Sequence, residues 1–164
     1  MKLSKKTLFL VQAALIAAIY VVLTVVFAPF SFGEVQVRIA EALTILPVFL
    51  PAAVPGLFVG CLLGNMLGGA VLPDIIFGSL ATLIGALGTR ALRKAHPFLA
   101  PIPPILANTV IVPFVLKYAY AVDLPIPFIM LTVGIGEVVS CGIFGLVLYY
   151  ALNGRRTQVF GEAE

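Results

Sequence analysis

The chain has 164 residues, of which 62% are hydrophobic and 10% are charged, and its formal net charge is +3. Soluble domains are usually about 45–50% apolar, so this composition excludes a soluble globular fold. A membrane-spanning helix needs about 20 mostly apolar residues, and long uncharged stretches of the chain meet that need. We therefore predict an all-α membrane protein, with residues 1–164 forming a single integral membrane domain.

Prolines and charges divide the apolar sequence into six predicted spanning helices. The first run follows Lys5 and Lys6, as in a signal peptide, but it is too long and lacks a small-residue cleavage site, so we predict a retained first helix. The uncharged run 42–73 is too long for one span, and Pro51 and Pro55 interrupt it. It predicts two helices or, alternatively, a re-entrant hairpin. The six predicted spans are residues 7–29, 38–51, 54–71, 74–92, 102–121 and 126–152.

Basic residues predict the orientation of these spans. Six spans place most of the lysines and arginines on one side and leave only Arg38 and Lys117 towards the other. By the positive-inside rule, both termini are then cytoplasmic in a multi-pass protein of the cell membrane. The residues on the cytoplasmic side would be Lys2, Lys5, Lys6, Arg90, Arg93, Lys94, Arg155 and Arg156.

Two rows of small residues predict close helix packing, because small side chains let helices approach each other within lipid. The glycine row of the third helix favours packing inside the protein. The alanine row of the first helix fits internal packing or a docking face for another subunit equally well. The glycines are Gly56, Gly60, Gly64 and Gly68, and the alanines are Ala13, Ala14, Ala17 and Ala18.

Six polar residues within apolar segments are candidate ligand contacts, since a polar group at membrane depth normally faces a bundle interior or a cavity. Glu137 lies near mid-membrane, where we expect a ligand contact or else a salt bridge to Arg38 or Lys117. Arg38 and Glu41 share a helix face and can pair, and their place after the external loop 30–37 favours the rim of a pocket under a lid. The full candidate set is Glu137, Asn108, Arg38, Glu41, Asp74 and Asn65.

Four polar positions also have simpler explanations. Asp74 follows Pro73 at the start of the fourth helix, so it is expected to cap that helix. Asn65 and Asn108 would either bridge helices or contact ligand. Lys117 would extend its amine to the outer interface.

Several absences argue against an enzyme or an ATPase. The chain has no phosphate-binding G-x-x-x-x-G-K-[ST] loop and no H-E-x-x-H motif, and the lone His96 is expected to be structural. Cys61 and Cys141 are expected to behave as small apolar residues, so neither a disulfide nor a metal site is predicted, and no cofactor. An aspartyl-type dyad of Asp74 and Glu137 is the remaining enzymatic alternative.

Four segments carry a resemblance to a known family. These are F-G-E-V-Q-V-R-I-A-E-A-L-T-I-L-P, P-G-L-F-V-G-C-L-L-G-N, D-I-I-F-G-S-L-A-T-L and G-I-G-E-V-V-S-C, within a match over residues 7–153. Together with six short helices and an alanine-rich first helix, they resemble the queuosine precursor transporter (QueT) family. That family provides substrate-binding (S) components of energy-coupling factor (ECF) transporters.

The resemblance implies a ligand and partners. The ligand would be 7-aminomethyl-7-deazaguanine or a related 7-deazaguanine, bound from outside and delivered inward. The partners would be a transmembrane coupling subunit, docked on the four alanines of the first helix, and two ATPase subunits. An S component for riboflavin, biotin or thiamine is the nearest alternative, and an intramembrane enzyme is a more distant one.

Overall fold

The structure, a computed structural model, describes residues 4–27 and 37–155, and within these ranges every regular element is helical. The predicted all-α fold is thereby confirmed. The elements in chain order are α1 (Lys5–Val26), a central 3-10 helix (Ile39–Val48), α2 (Ala53–Leu67), α3 (Leu72–Ala91), a short 3-10 turn (Pro97–Leu99), α4 (Ile102–Ala119) and α5 (Ile126–Asn153).

The helices occur in the predicted order and within a few residues of the predicted bounds. Among the described residues, four helical segments are long and apolar enough to cross a membrane, and the central 3-10 helix and α2 are shorter apolar helices. The number of spans and the orientation therefore stay predictions. The predicted lid, at 30–37, lies almost wholly outside the described residues.

Helix α2 runs parallel to α1, with Gly56 against Ala13, Gly60 against Ala17 and Gly64 against Thr24. Helices α3, α4 and α5 each pack antiparallel to the α-helix before them. The lysines at the start of α1 and the arginines at the end of α3 therefore lie at one end of the bundle, which we call the basic end. The other end, where α1 and α4 finish and α3 and α5 begin, is called the opposite end. The two ends provide a frame for locating each polar side chain.

The central 3-10 helix is the element that the others surround. Every residue from Ala40 to Pro47 is buried, and the helix contacts α1, α2, α3 and α5. Its ten residues extend about 20 Å at a 3-10 rise of about 2.0 Å, whereas an α-helix of that length extends about 15 Å. The tighter winding thus lets a short segment pass through more of the bundle.

Arg90 caps the C-terminal end of the central 3-10 helix. Its guanidinium donates hydrogen bonds to the carbonyl oxygens of Pro47 at 3.0 Å and Val48 at 3.5 Å. Carbonyls in the last turn of a helix lack partners within it, and a cation there is favoured by the helix dipole. Arg90 therefore stabilises this helix end, in addition to its charge at the basic end.

The glycine row of α2 packs against α1, as predicted. A Cβ added at Gly56 would lie 2.7 Å from the Ala13 carbonyl oxygen, and one at Gly60 would lie 2.8 Å from Tyr20 Cβ and 3.0 Å from Ala17 Cα. Such distances are too short for any side chain, so the two backbones meet directly. Ala13 and Ala17 belong to this internal contact, whereas Ala14 and Ala18 are exposed.

Candidate functional site

All six polar candidates are buried, with exposed fractions of 5% or less, and they belong to one connected set of polar side chains. The set runs from the opposite end of the bundle to its middle, and we call it the polar chain. Five further side chains complete it. Its members are Arg38, Asn65, Asp74 and Tyr120 at the opposite end, then Tyr20, Glu41, Cys61 and Thr82, and finally Asn108, Glu137 and Cys141.

An ion pair between Arg38 and Asp74 forms the opposite end of the polar chain. The guanidinium lies 3.7 Å from Asp74 Oδ2 and donates to Asn65 Oδ1 at 3.5 Å. Tyr120 donates its hydroxyl to Asp74 Oδ2 at 3.0 Å. Gly78 makes room for the Asp74 carboxylate, because a Cβ at position 78 would lie 3.0 Å from Asp74 Oδ1.

The prediction that Asp74 caps its helix is wrong. Helix α3 begins at Leu72, its N-cap is Val71 without a side-chain cap hydrogen bond, and Asp74 lies in the first turn. Its carboxylate instead contacts Arg38 and Tyr120, from other parts of the chain. Contacts with residues distant in sequence, and not a cap on its own helix, therefore account for Asp74.

The expected rim position of Arg38 and Glu41 is also wrong, because both side chains are buried, with exposed fractions of 5% and 1%. Glu41 accepts a hydrogen bond from the Tyr20 hydroxyl and a second one from Thr82. The Thr82 hydroxyl also lies 3.3 Å from the Cys61 sulfur, which is 3.7 Å from Asn65 Nδ2. These contacts continue the polar chain from the Arg38 end into the bundle.

Glu137 and Asn108 lie deepest. Each is about 17 Å along its helix from the opposite end, at 1.5 Å per residue, and Asn108 hydrogen-bonds to the Glu137 carboxylate. The Cys141 thiol donates to Glu137 Oε2 at 3.2 Å and lies 4.0 Å from Glu41 Oε2. Lys117, one alternative partner for Glu137, pairs instead with the exposed Asp123 at 3.8 Å.

A π-helical segment, Val138–Phe144, follows Glu137 directly within α5. Wider π turns are rare and occur frequently at functional sites. This one brings Cys141 to the central 3-10 helix, where the Thr44 hydroxyl lies 3.4 Å from its sulfur. One carboxylate oxygen from each glutamate and the Cys141 sulfur lie within 4.8 Å of one another. The Cys141 thiol donates a hydrogen bond to Glu137, so Glu41, Glu137 and Cys141 form a hydrogen-bonded cluster.

Sequence reasoning missed five members of the polar chain. Tyr20 was open to prediction, because it shares the α1 face of Ala13 and Ala17 that meets the glycine row. The cysteines were expected only as small apolar residues, Thr82 was not singled out, and Tyr120 was not predicted to contact Asp74. His96, expected to be structural, is exposed and stacks on Phe98 with ring centroids 5.3 Å apart.

A bundle of apolar helices enclosing charged groups, amides and hydroxyls has the build of a multi-pass membrane protein. Comparisons with known proteins agree with that class. Residues 10–154 match the sequence model of the family described as QueT transporter, so the chain belongs to the QueT transporter family. The expected family is confirmed, and a family of transporters points to a non-enzymatic role.

A curated relative supports the same family. The chain is 35% identical over 81 residues to the queuosine precursor transporter QueT of Lactococcus lactis subsp. cremoris (strain MG1363). The alignment covers 48% of this chain and 47% of the relative, so it spans about half the length of that protein. No solved structure matches the chain.

The Arg38–Asp74 ion pair yields a prediction about stability. Asp74→Asn should lower the free energy of unfolding by roughly 3 kcal/mol, because it leaves a buried guanidinium without its carboxylate. The measurement is denaturant unfolding in detergent. Asp123→Asn, at an exposed pair, is the matched control and should change little.

A double variant separates the ion pair from other effects of the substitution. Adding Arg38→Gln to Asp74→Asn should recover about half of the lost stability, because the guanidinium that lost the Asp74 carboxylate is then removed as well. Equal stability of Asp74→Asn and Asp123→Asn would contradict the importance of the ion pair.

Proposed function

We propose that the chain is the substrate-binding component of an energy-coupling factor importer for a queuosine precursor. The ligand would be 7-aminomethyl-7-deazaguanine, bound from outside and delivered inward with a coupling subunit and two ATPases. The polar chain is the observation that carries this proposal, since it supplies carboxylates, amides and a guanidinium within an apolar bundle. Family membership supports the choice of ligand.

The ligand and the polar chain match in their hydrogen-bonding groups. A guanine-like edge presents an N1–H and an exocyclic amine as adjacent donors, and a carboxylate accepts such a pair well. The aminomethyl arm is cationic and favours a second carboxylate. The O6 atom and the ring acceptor nitrogen favour donors such as Asn108, Asn65 or the Arg38 guanidinium.

The two carboxylates in the middle of the bundle are the best candidates for these tasks. Asp74 is already paired with Arg38 and Tyr120, which leaves Glu41 and Glu137. We assign Glu137 to the guanine edge, since Asn108 beside it adds an amide that can contact the same ring. Glu41 would then contact the ammonium group of the arm.

Glu137→Gln tests this assignment. It should weaken binding of 7-aminomethyl-7-deazaguanine at least tenfold, because an amide replaces one acceptor oxygen with a donor and removes the charge, a change worth about 1.4 kcal/mol or more. Titration calorimetry on the purified protein measures the affinity.

Asp123→Asn is the control, since it makes the same change of acid to amide at an exposed side chain. Unchanged affinity in a folded Glu137→Gln protein would contradict the assignment.

The docking face for the coupling subunit is proposed on α1. Ala14 and Ala18 are exposed one helical turn apart, whereas Ala13 and Ala17 meet α2. A groove of about 280 Å³ runs beside them between α1 and α2, lined in part by Phe9, Leu10, Pro55 and Val59. An exposed alanine pair next to a groove supports close approach of a partner helix.

Ala14→Leu with Ala18→Leu tests this docking face. The double variant should lose copurification with the coupling subunit yet keep its affinity for ligand, because the added side chains lie on the exposed face of α1, whereas Tyr20 of the polar chain points into the bundle. Affinity pull-down in membranes that contain the coupling subunit and ATPases is the measurement. Ala151→Leu, at another exposed alanine, should assemble normally. Full assembly of the double variant would contradict the proposed face.

A further inference from the structure

Glu41 and Glu137 bring two carboxylates together in the interior of the bundle. One comes from the central 3-10 helix and the other from α5, and their exposed fractions are 1% and 3%. A carboxylate oxygen of each lies within 4.8 Å of the other and of the Cys141 sulfur. This separation is far below the distance at which solvent could screen one charge from the other.

The groups around this carboxylate pair do not supply a positive charge to balance each carboxylate. Tyr20 faces it from α1, Cys61 from α2, Thr82 from α3, Asn108 from α4 and Cys141 from the π segment. All of these side chains are uncharged, and the Cys61 sulfur accepts hydrogen bonds from Asn65 and Thr82. Among the described residues around the pair, Arg38 is the one cation, and Asp74 balances its charge at 3.7 Å. Two ionised glutamates would leave two negative charges uncompensated.

We propose that Glu41 and Glu137 share one proton when the site is empty and release it when a cationic ligand binds. Two carboxylates a few ångströms apart in a low-dielectric interior do not both ionise, and they titrate as a pair. Entry of an ammonium group supplies the missing positive charge, so the shared proton leaves to solvent. The total charge of site and ligand inside the bundle then stays the same in the empty and occupied states.

This inference rests on the proposed function and concerns the choice among ligand forms. A ligand with an ammonium arm replaces the proton, whereas a neutral ligand of the same ring leaves it in place. Affinity for the cationic ligand should therefore rise with pH, by up to about tenfold per unit while the pair holds its proton. Affinity for 7-methyl-7-deazaguanine, which carries no charge, should not change over the same range.

Proton release can be counted by titration calorimetry of the full chain in two buffers with different ionisation enthalpies. Binding of 7-aminomethyl-7-deazaguanine should release about one proton, and binding of 7-methyl-7-deazaguanine none. In Glu41→Gln, and independently in Glu137→Gln, the remaining carboxylate has no acidic neighbour, so release should fall to near zero. Asp123→Asn, an exposed acid outside the site, should release as many protons as the unmodified protein.

The outcomes separate the two proposals. Binding of both ligands with the same proton count would overturn the shared proton and leave the proposed function intact. Proton release that persists in both glutamine variants would also overturn it, because the proton would then come from elsewhere. If neither ligand binds, the proposed function fails and this inference fails with it. The pH series on the unmodified protein tests the shared proton without any variant.

Discussion

Every polar side chain inside this bundle needs a partner within the protein, and that constraint explains most of the structure. In an apolar, water-poor interior an unsatisfied polar group costs several kcal/mol. Arg38 is therefore paired with Asp74, Tyr20 donates to Glu41, and Cys141 donates to Glu137. A ligand with complementary donors and a positive charge can take the place of some of these internal partners. A binding site built in this way leaves few buried polar atoms without a hydrogen-bond partner when it is empty, Asp74 Oδ1 among them.

The two irregular helical segments bring these partners within reach. The central 3-10 helix carries Glu41 into the middle of the bundle, and the π segment of α5 presents Cys141 to it. Hydropathy predicted the two spans that contain these segments, because prolines and charges bound those spans. It could not predict their winding, since apolar content is the same for 3-10, α and π hydrogen bonding. The sequence therefore predicted a short second helix, but it did not predict the 3-10 winding that makes this helix longer than an α-helix of ten residues.

The site could be predicted in its composition but not in its pairing. Glu137 and Asn108 were recognisable because a lone carboxylate or amide in an apolar helix is costly. Asp74 was expected to cap a helix because its local sequence fits that role, and the distant Arg38 decided otherwise. The rim position expected for Glu41 failed for a similar reason, since burial depends on which helices surround the 3-10 helix. Small residues were more informative, as the glycine row correctly predicted tight packing, here against α1.

The central claim is that the polar chain binds a 7-deazaguanine. Mass spectrometry of small molecules that copurify with the detergent-extracted protein tests it most directly, in cells supplied with the ligand. The account predicts 7-aminomethyl-7-deazaguanine at about one molecule per chain, with loss of that signal in Glu137→Gln. Copurification of riboflavin, biotin or thiamine in its place would contradict the claim.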